Sequence, residues 1–208
     1  MCGACGRAHA VLCCRYEATY QSLAERGFRV LALAYKQSPK FSAADAPSRV
    51  DVEVDCQFGG FVAFECKIRS DSPTVIKALE QADLRTAMLT GDAPLTALHV
   101  ARHVGMCSMD KPALTLTATK EAGKFGVEWE TATGLVKSKI PFEIGTVATL
   151  MAEYELMSTE SALDRAVDLS GKDESEVWDI VQHIKVFARM SPNGKASVIR
   201  ALQVSVFP

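Results

Sequence analysis

With 208 residues, 48% of them hydrophobic and 23% charged, the chain has the makeup of a soluble globular protein. That length suits one large domain or one and a half ordinary ones, with a sizeable core. The formal net charge of −2, without a long Lys/Arg run, argues against a nucleic-acid partner, which would demand a basic face. The longest mostly apolar stretch, Ile140 to Met157, is interrupted by Glu143, Glu153 and Glu155, so it predicts no spanning helix and no membrane contact by this segment. No basic-then-apolar signal peptide is expected either.

Taken in chain order, residues 1–14 read as a ragged leader. Cys2, Cys5, Cys13 and Cys14 crowd into it, but their spacing matches no closed zinc pattern and predicts free thiols. Tyr16 to Arg26 predicts a helix, capped by Gly27, and Phe28 to Tyr35 (FRVLALAY) a buried strand. Lys36 to Ser48 is a loop. The alternation of Val50, Val52 and Val54 with Asp51, Glu53 and Asp55 predicts a half-exposed strand. Gly59 and Gly60 punctuate it before another strand, Phe61 to Glu65. Asp71 or Ser72 caps a helix that has Pro73 in its first turn and runs to about Ala82. Leu84 to Leu89 (LRTAML) then reads as a buried strand, and a helix from Pro94 to Val104 follows, stopped by Gly105. This is the βαβ rhythm of a parallel sheet, with Thr90 at its carboxyl edge, where ligands bind.

Farther on, Leu114 to Thr119 and Val127 to Thr131 predict short strands of an insertion. Helices follow at Phe142–Leu156, Glu160–Leu169 and Glu174–His183, then a strand at Ile184–Met190. Ser191 caps a last helix with Pro192 at its first position. Cys56, Cys66 and Cys107 sit in apolar contexts and read as reduced core residues.

Three places carry candidate chemistry. In Thr90-Gly91-Asp92 a glycine permits close backbone approach, and the hydroxyl and helix-start amides can donate to phosphate oxygens. The same tripeptide also serves as a plain turn and cap. Lys195, early in its helix, opposes the helix dipole; it either faces an anion or is solvated. His99 and His103, four apart on one helix, can bind a metal as a pair, or are ordinary surface or structural histidines; no third ligand of the HExxH kind accompanies them.

Together these residues resemble a known family. FECKIRSDSPTVIKALEQADLRTAMLTGDAPLTALHVARHVG, Phe64 to Gly105, and KVFARMSPNGKASVIRAL, Lys185 to Leu202, are similar to two landmarks of the P-type ATPases. These are a Thr-Gly-Asp loop and a Phe-Ala-Arg-x-x-Pro-x-x-Lys motif. RGFRVLALAYK and APLTALHVA look most like the type-five subgroup A pumps of the endoplasmic reticulum. The resemblance implies an α/β fold: the C-terminal end of a nucleotide-binding domain over 15–60, then part of a haloacid-dehalogenase-like Rossmannoid phosphorylation domain over 61–203. An insertion lies at about 106–170, and 204–208 form a divergent tail.

It further implies ATP and magnesium as cofactors. Thr90 and Gly91 would hold the phosphoryl group, Asp92 would order the nucleotide and magnesium surroundings, and Lys195 would neutralise the transferring phosphoryl charge. Arg69 falls where the family has a hinge arginine, although Lys67-Ile68 replaces the usual Pro-Pro, and Gly194 replaces a usual Gln. The whole protein would couple ATP hydrolysis to transport across, or removal of helices from, the endoplasmic reticulum membrane. This segment would lie on the cytosolic side, with the remainder of the ATPase, including its membrane domain, as partner.

The sequence contains no Asp-Lys-Thr-Gly, whose Asp accepts the phosphoryl group in this family, and no Gly-Asp-Gly-x-x-Asn-Asp, so no metal ligands are assigned and the chain alone is expected to be inactive. Two other readings stay open. A free-standing haloacid-dehalogenase-like phosphatase would need an Asp-x-Asp motif, and none is present. A non-catalytic binding module is the other.

Overall fold

The computed structural model describes residues 7–37, 48–65, 67–121, 124–134, 138–171 and 174–206. Cys2, Cys5, Cys66 and the end of the expected tail lie outside the described residues, as does most of the loop expected after Tyr35.

Two sheets organise the chain. The smaller pairs β1 (Arg29–Tyr35) with β2 (Gln57–Phe64) antiparallel, with a bulge between Leu33 and Ala34. Helix α1 (Arg7–Glu25) begins nine residues before the expected Tyr16 and lies on one face, where Tyr16 packs against Phe58 and Phe61 at ring-centroid distances of 5.2 and 4.8 Å. Strand β1 was expected to be buried. It is not: Leu31, Leu33 and Tyr35 are more than half exposed. A two-stranded sheet covered on one face leaves alternate side chains outside, whatever their polarity.

The glycine pair expected to break the chain lies inside β2, at the bulge, so the expected domain boundary after Gly60 falls within a strand. The valine alternation at 50–55 forms a short helix, α2 (Arg49–Glu53), rather than a strand. An Arg49–Glu53 ion pair of 2.6 Å closes its single turn. Five alternating residues fit either period, and β1 already has its partner in β2.

Gly27 does end α1 as expected. It adopts φ +83°, and its N–H and that of Phe28 return to the carbonyls of Ala24 and Leu23 at 3.0 and 3.2 Å. A side chain is excluded there twice over, by that left-handed backbone and by the His99 ring, 2.2 Å from where a Cβ would lie.

The larger sheet has six strands in the order β3-β8-β7-β4-β5-β6. These are β3 (Met88–Leu89), β4 (Ala113–Glu121), β5 (Lys124–Thr131), β6 (Lys139–Pro141), β7 (Glu155–Thr159) and β8 (Val186–Ala188). The β3-β8-β7-β4 portion is parallel, and β5 and β6 extend it antiparallel. The fold is therefore α/β with a mixed central sheet. Only Met88 and Leu89 of the expected strand LRTAML pair, and Leu84 is exposed.

The helix expected over Phe142–Leu156 is a 3-10 turn (Ile144–Thr146) and a short α5 (Val147–Glu153), and its last residues start the interior strand β7. A short apolar run does not distinguish a buried strand from a helix. Strands β4 and β7, both within the stretch read as an insertion, are interior strands of this sheet.

Alternation along the interior strands sends side chains to opposite faces and builds two cores. Leu114, Leu116, Leu156 and Phe187 pack with Leu163 of α6 (Glu160–Ser170) and Val198 of α8 (Pro192–Val206). Ala113, Met157, Val186 and Ala188 pack with Ala97, Leu98 and Ala101 of α4 (Pro94–His103). Cys107 lies in this second core, where burial and then the charge of Glu155 push its thiol up to about 11. Cys56, expected in a core, is exposed.

Candidate functional site

The loop Thr90-Gly91-Asp92 leaves the carboxyl end of β3 and enters α4. Three backbone bonds tie it to β8 and the chain just after it. Thr90 N–H donates to Phe187 O at 2.9 Å, and Met190 N–H returns to Thr90 O at 3.0 Å. Arg189 N–H donates to Asp92 O at 3.0 Å. Arg189 has φ +56°, a conformation that costs a bulky residue about 1 kcal/mol or more unless its surroundings hold it. The bond to Asp92 O is one such restraint. Gly91 is open: a Cβ there would meet only Met190 O, at 3.8 Å.

Within the loop, the Thr90 hydroxyl donates to Asp92 Oδ2 and accepts from the Asp92 N–H, both at 3.1 Å. The Arg29 guanidinium, from the start of β1, bonds Asp92 Oδ1. Partial burial alone would raise the Asp92 pKa, but the Arg29 and Thr90 hydrogen bonds and the charges of Arg29 and Arg189 outweigh it and hold the carboxyl below its ordinary range. Above this loop opens a cavity of about 450 Å³, lined by Tyr20, Arg29, Thr90, Asp92, Thr96 and Arg189 among others. Arg29 and Arg189 lay inside the stretches that carry the family resemblance, but neither was singled out as a site residue. Arg29 sits in a strand read for its apolar run and for the RGFRVLALAYK resemblance, and Arg189 was one letter of a motif.

Lys195 lies one turn into α8, half-buried, and does not line this cavity. No hydrogen bond or ion pair engages its ammonium among the described residues. What holds its helix is a carboxylate. Glu160 accepts from the Ser191 N–H at 2.5 Å and the Ser191 hydroxyl at 2.6 Å, while the Gly194 N–H donates to Ser191 Oγ at 3.1 Å. Ser191 therefore caps α8 as expected. Hydrogen bonds from the Ser191 side chain, then from the Ser191 and Gly194 backbone, lower the Glu160 pKa. They also account for Gly194, since a Cβ there would lie 2.5 Å from the Glu160 carboxyl carbon.

The two positions should be energetically coupled. Gly194→Ala gains up to about 1 kcal/mol of helix propensity, but in the wild-type background it displaces the carboxylate. In a Glu160→Ala background the gain is unopposed. Denaturant melts of the four proteins should show a coupling on the order of 1 kcal/mol, and additivity would contradict the arrangement.

Arg69 stands apart. Its guanidinium holds Asp71, with contacts of 2.6 and 3.1 Å, and its side chain is 81% exposed. Asp71, at the N-cap position of α3 (Ser72–Gln81), spends its carboxylate on this pair and makes no side-chain cap.

The architecture is that of an α/β protein with a mixed central sheet, its Thr90 loop at the carboxyl end of a parallel strand. No family model matches the chain. Curated relatives do. The endoplasmic reticulum transmembrane helix translocase of Saccharomyces cerevisiae is 34% identical over 193 residues, covering 90% of this chain and 15% of that protein. A probable manganese-transporting ATPase of Arabidopsis thaliana is 33% identical over 187 residues, 89% of this chain and 15% of its own length. The human polyamine-transporting ATPase 13A3 is 28% identical over 202 residues, 90% and 16% respectively. Over nine-tenths of its length the chain is thus homologous to a segment of P-type ATPases, as its two motifs implied. It spans about 15% of the length of these relatives. None of the described helices is long and apolar enough to cross a membrane.

Proposed function

We propose that this chain is the phosphate-handling segment of an ATP-driven membrane translocase of the endoplasmic reticulum, acting from the cytosolic side. Residues 15–60 would close a nucleotide-binding domain and 61–203 would form part of a haloacid-dehalogenase-like phosphorylation domain. The observation that carries this reading is the cavity above Thr90. Two guanidiniums, a hydroxyl and the start of a helix converge there at the carboxyl end of a parallel strand. Such a set stabilises negative charge as it develops on a phosphoryl group, because donors and cations are already aimed and need not reorganise.

In this reading Thr90 and Gly91 contact the phosphoryl oxygens, and Asp92 keeps Arg29 in place until an anion competes for it. Lys195 supplies a further positive charge from the neighbouring helix, and Arg69 meets the nucleotide from the hinge. ATP would supply the transferable phosphoryl group, and the cavity's cations suit its phosphates. Magnesium fits less well: among the described residues no three His, Cys, Asp or Glu side chains gather to hold a metal ion. The transported cargo and the other domains belong to the whole protein, of which ATP-coupled translocation would be the activity.

Titrating magnesium-ATP into the isotope-labelled chain tests this. Binding should be weak, with a Kd on the order of 1 mM. The amides of Thr90, Gly91 and Arg189 should shift most, and Arg189→Gln should abolish the response. Shifts confined to other surfaces, or a response undiminished in Arg189→Gln, would overturn the reading.

A further inference from the structure

We propose, resting on the phosphate-handling reading of the Thr90 cavity, that Tyr20 is the platform on which the base of a bound nucleotide stacks. The cavity is larger than a phosphoryl group needs. Its volume of about 450 Å³ falls in the range of about 300–1,000 Å³ that holds organic ligands. Its lining is also divided in character. Arg29, Arg189 and the Thr90 loop supply charge and donors, whereas Tyr20, Phe28, Val30 and Leu31 supply apolar surface. A bare anion has no use for the second set, while a ligand with a charged end and a flat, apolar end fits both.

Of the two rings in that lining, Tyr20 is the unspent one. Phe28 already carries the Arg26 guanidinium 5.0 Å from its ring centroid. Tyr20 is half-buried, and among the described residues neither its ring nor its hydroxyl has a partner. A tyrosine withdrawn from water ordinarily satisfies its hydroxyl and packs its ring. One that lines a cavity and does neither keeps both for a ligand. Every nucleobase has a face that stacks on such a ring, so the platform would serve a nucleotide without demanding a particular base.

The helix that carries Tyr20 is anchored on several sides. Tyr16, four residues earlier and therefore on the same face of α1, packs against Phe58 and Phe61. The Gln21 side-chain amide donates to Gly134 O at 2.7 Å, and the Glu25 carboxylate accepts from Gly134 N–H at 3.2 Å. From α4, His99 Nδ1 donates to Glu25 O at 3.1 Å. These bonds hold α1 in place before any ligand arrives, so stacking on its tyrosine costs little ordering.

The test compares magnesium-ATP with magnesium tripolyphosphate, which has the phosphates and no base, on the full chain. Both should shift the amides of Thr90, Gly91 and Arg189, and ATP alone should give Overhauser contacts from its base protons to the Tyr20 ring. Tyr20→Ala should weaken ATP about fivefold or more and leave tripolyphosphate within about twofold. Tyr20→Phe, which keeps the ring, should bind ATP as the unaltered chain does. Equal losses of both ligands in Tyr20→Ala, or unchanged ATP affinity in that variant, would overturn the stacking role while the Thr90 reading stands. No amide response to either ligand would remove both.

Discussion

Purified chain incubated with magnesium and ATP labelled at the γ-phosphate should remain unlabelled after acid quenching, with no hydroxylamine-sensitive counts. An aspartyl-phosphate needs a carboxylate free to attack, and the sequence has no Asp-Lys-Thr-Gly to provide the one its relatives' family uses. The carboxylate nearest the cavity, Asp92, is already committed to Arg29 and Thr90. Its depressed pKa makes it a poorer nucleophile as well as a bound one. The expected difference from a competent enzyme is all or nothing. Acid-stable, hydroxylamine-labile incorporation would show that another Asp serves, and that the reading of the chain as inactive alone is wrong.

Phe187→Ala should lower the stability of the chain by about 3–5 kcal/mol, the range for emptying a fully enclosed aromatic site. Phe187 is 0% exposed and stands at the centre of the core shared by β8, Leu156, Leu163 and Val198. A domain of ordinary stability has only about 5–15 kcal/mol in total, so much of it would go. The same residue's carbonyl receives the Thr90 N–H, so the cavity's floor would loosen with the core. Denaturant midpoints of the two proteins check this; a loss under about 1 kcal/mol would mean that the site collapses to fill the void.

The sequence made the loop legible because its signals are local. An apolar strand, a glycine and a proline-led helix follow one another within fifteen residues, and each has its own physical signature. The same holds for Gly27 and for Ser191 ahead of Pro192. What escaped was non-local. Nothing near Arg29 says that β1 starts beside Asp92, 63 residues on. Nothing near Gly194 says that Glu160 fills the space its missing side chain leaves. Strand β7 was hidden because ELMST continues an apolar run that suits a helix equally, and only its parallel partners β4 and β8 decide the matter. The exposure of β1 followed from the number of strands beside it, which hydrophobicity does not encode.

The β1–β2 hairpin has a consequence for the loop it touches. Two strands alone are marginal in water, and this pair is supported on one face only, largely through Tyr16, Phe58 and Phe61. It therefore belongs to the part of the chain that opens first, at a free energy well below that of the six-stranded sheet. When it opens, Arg29 leaves and Asp92 stands bare beside Thr90, with the sheet beneath unchanged. The charge over the cavity is thus set by a fraying equilibrium outside the main sheet, and whatever clamps the hairpin also sets the electrostatic potential of the loop.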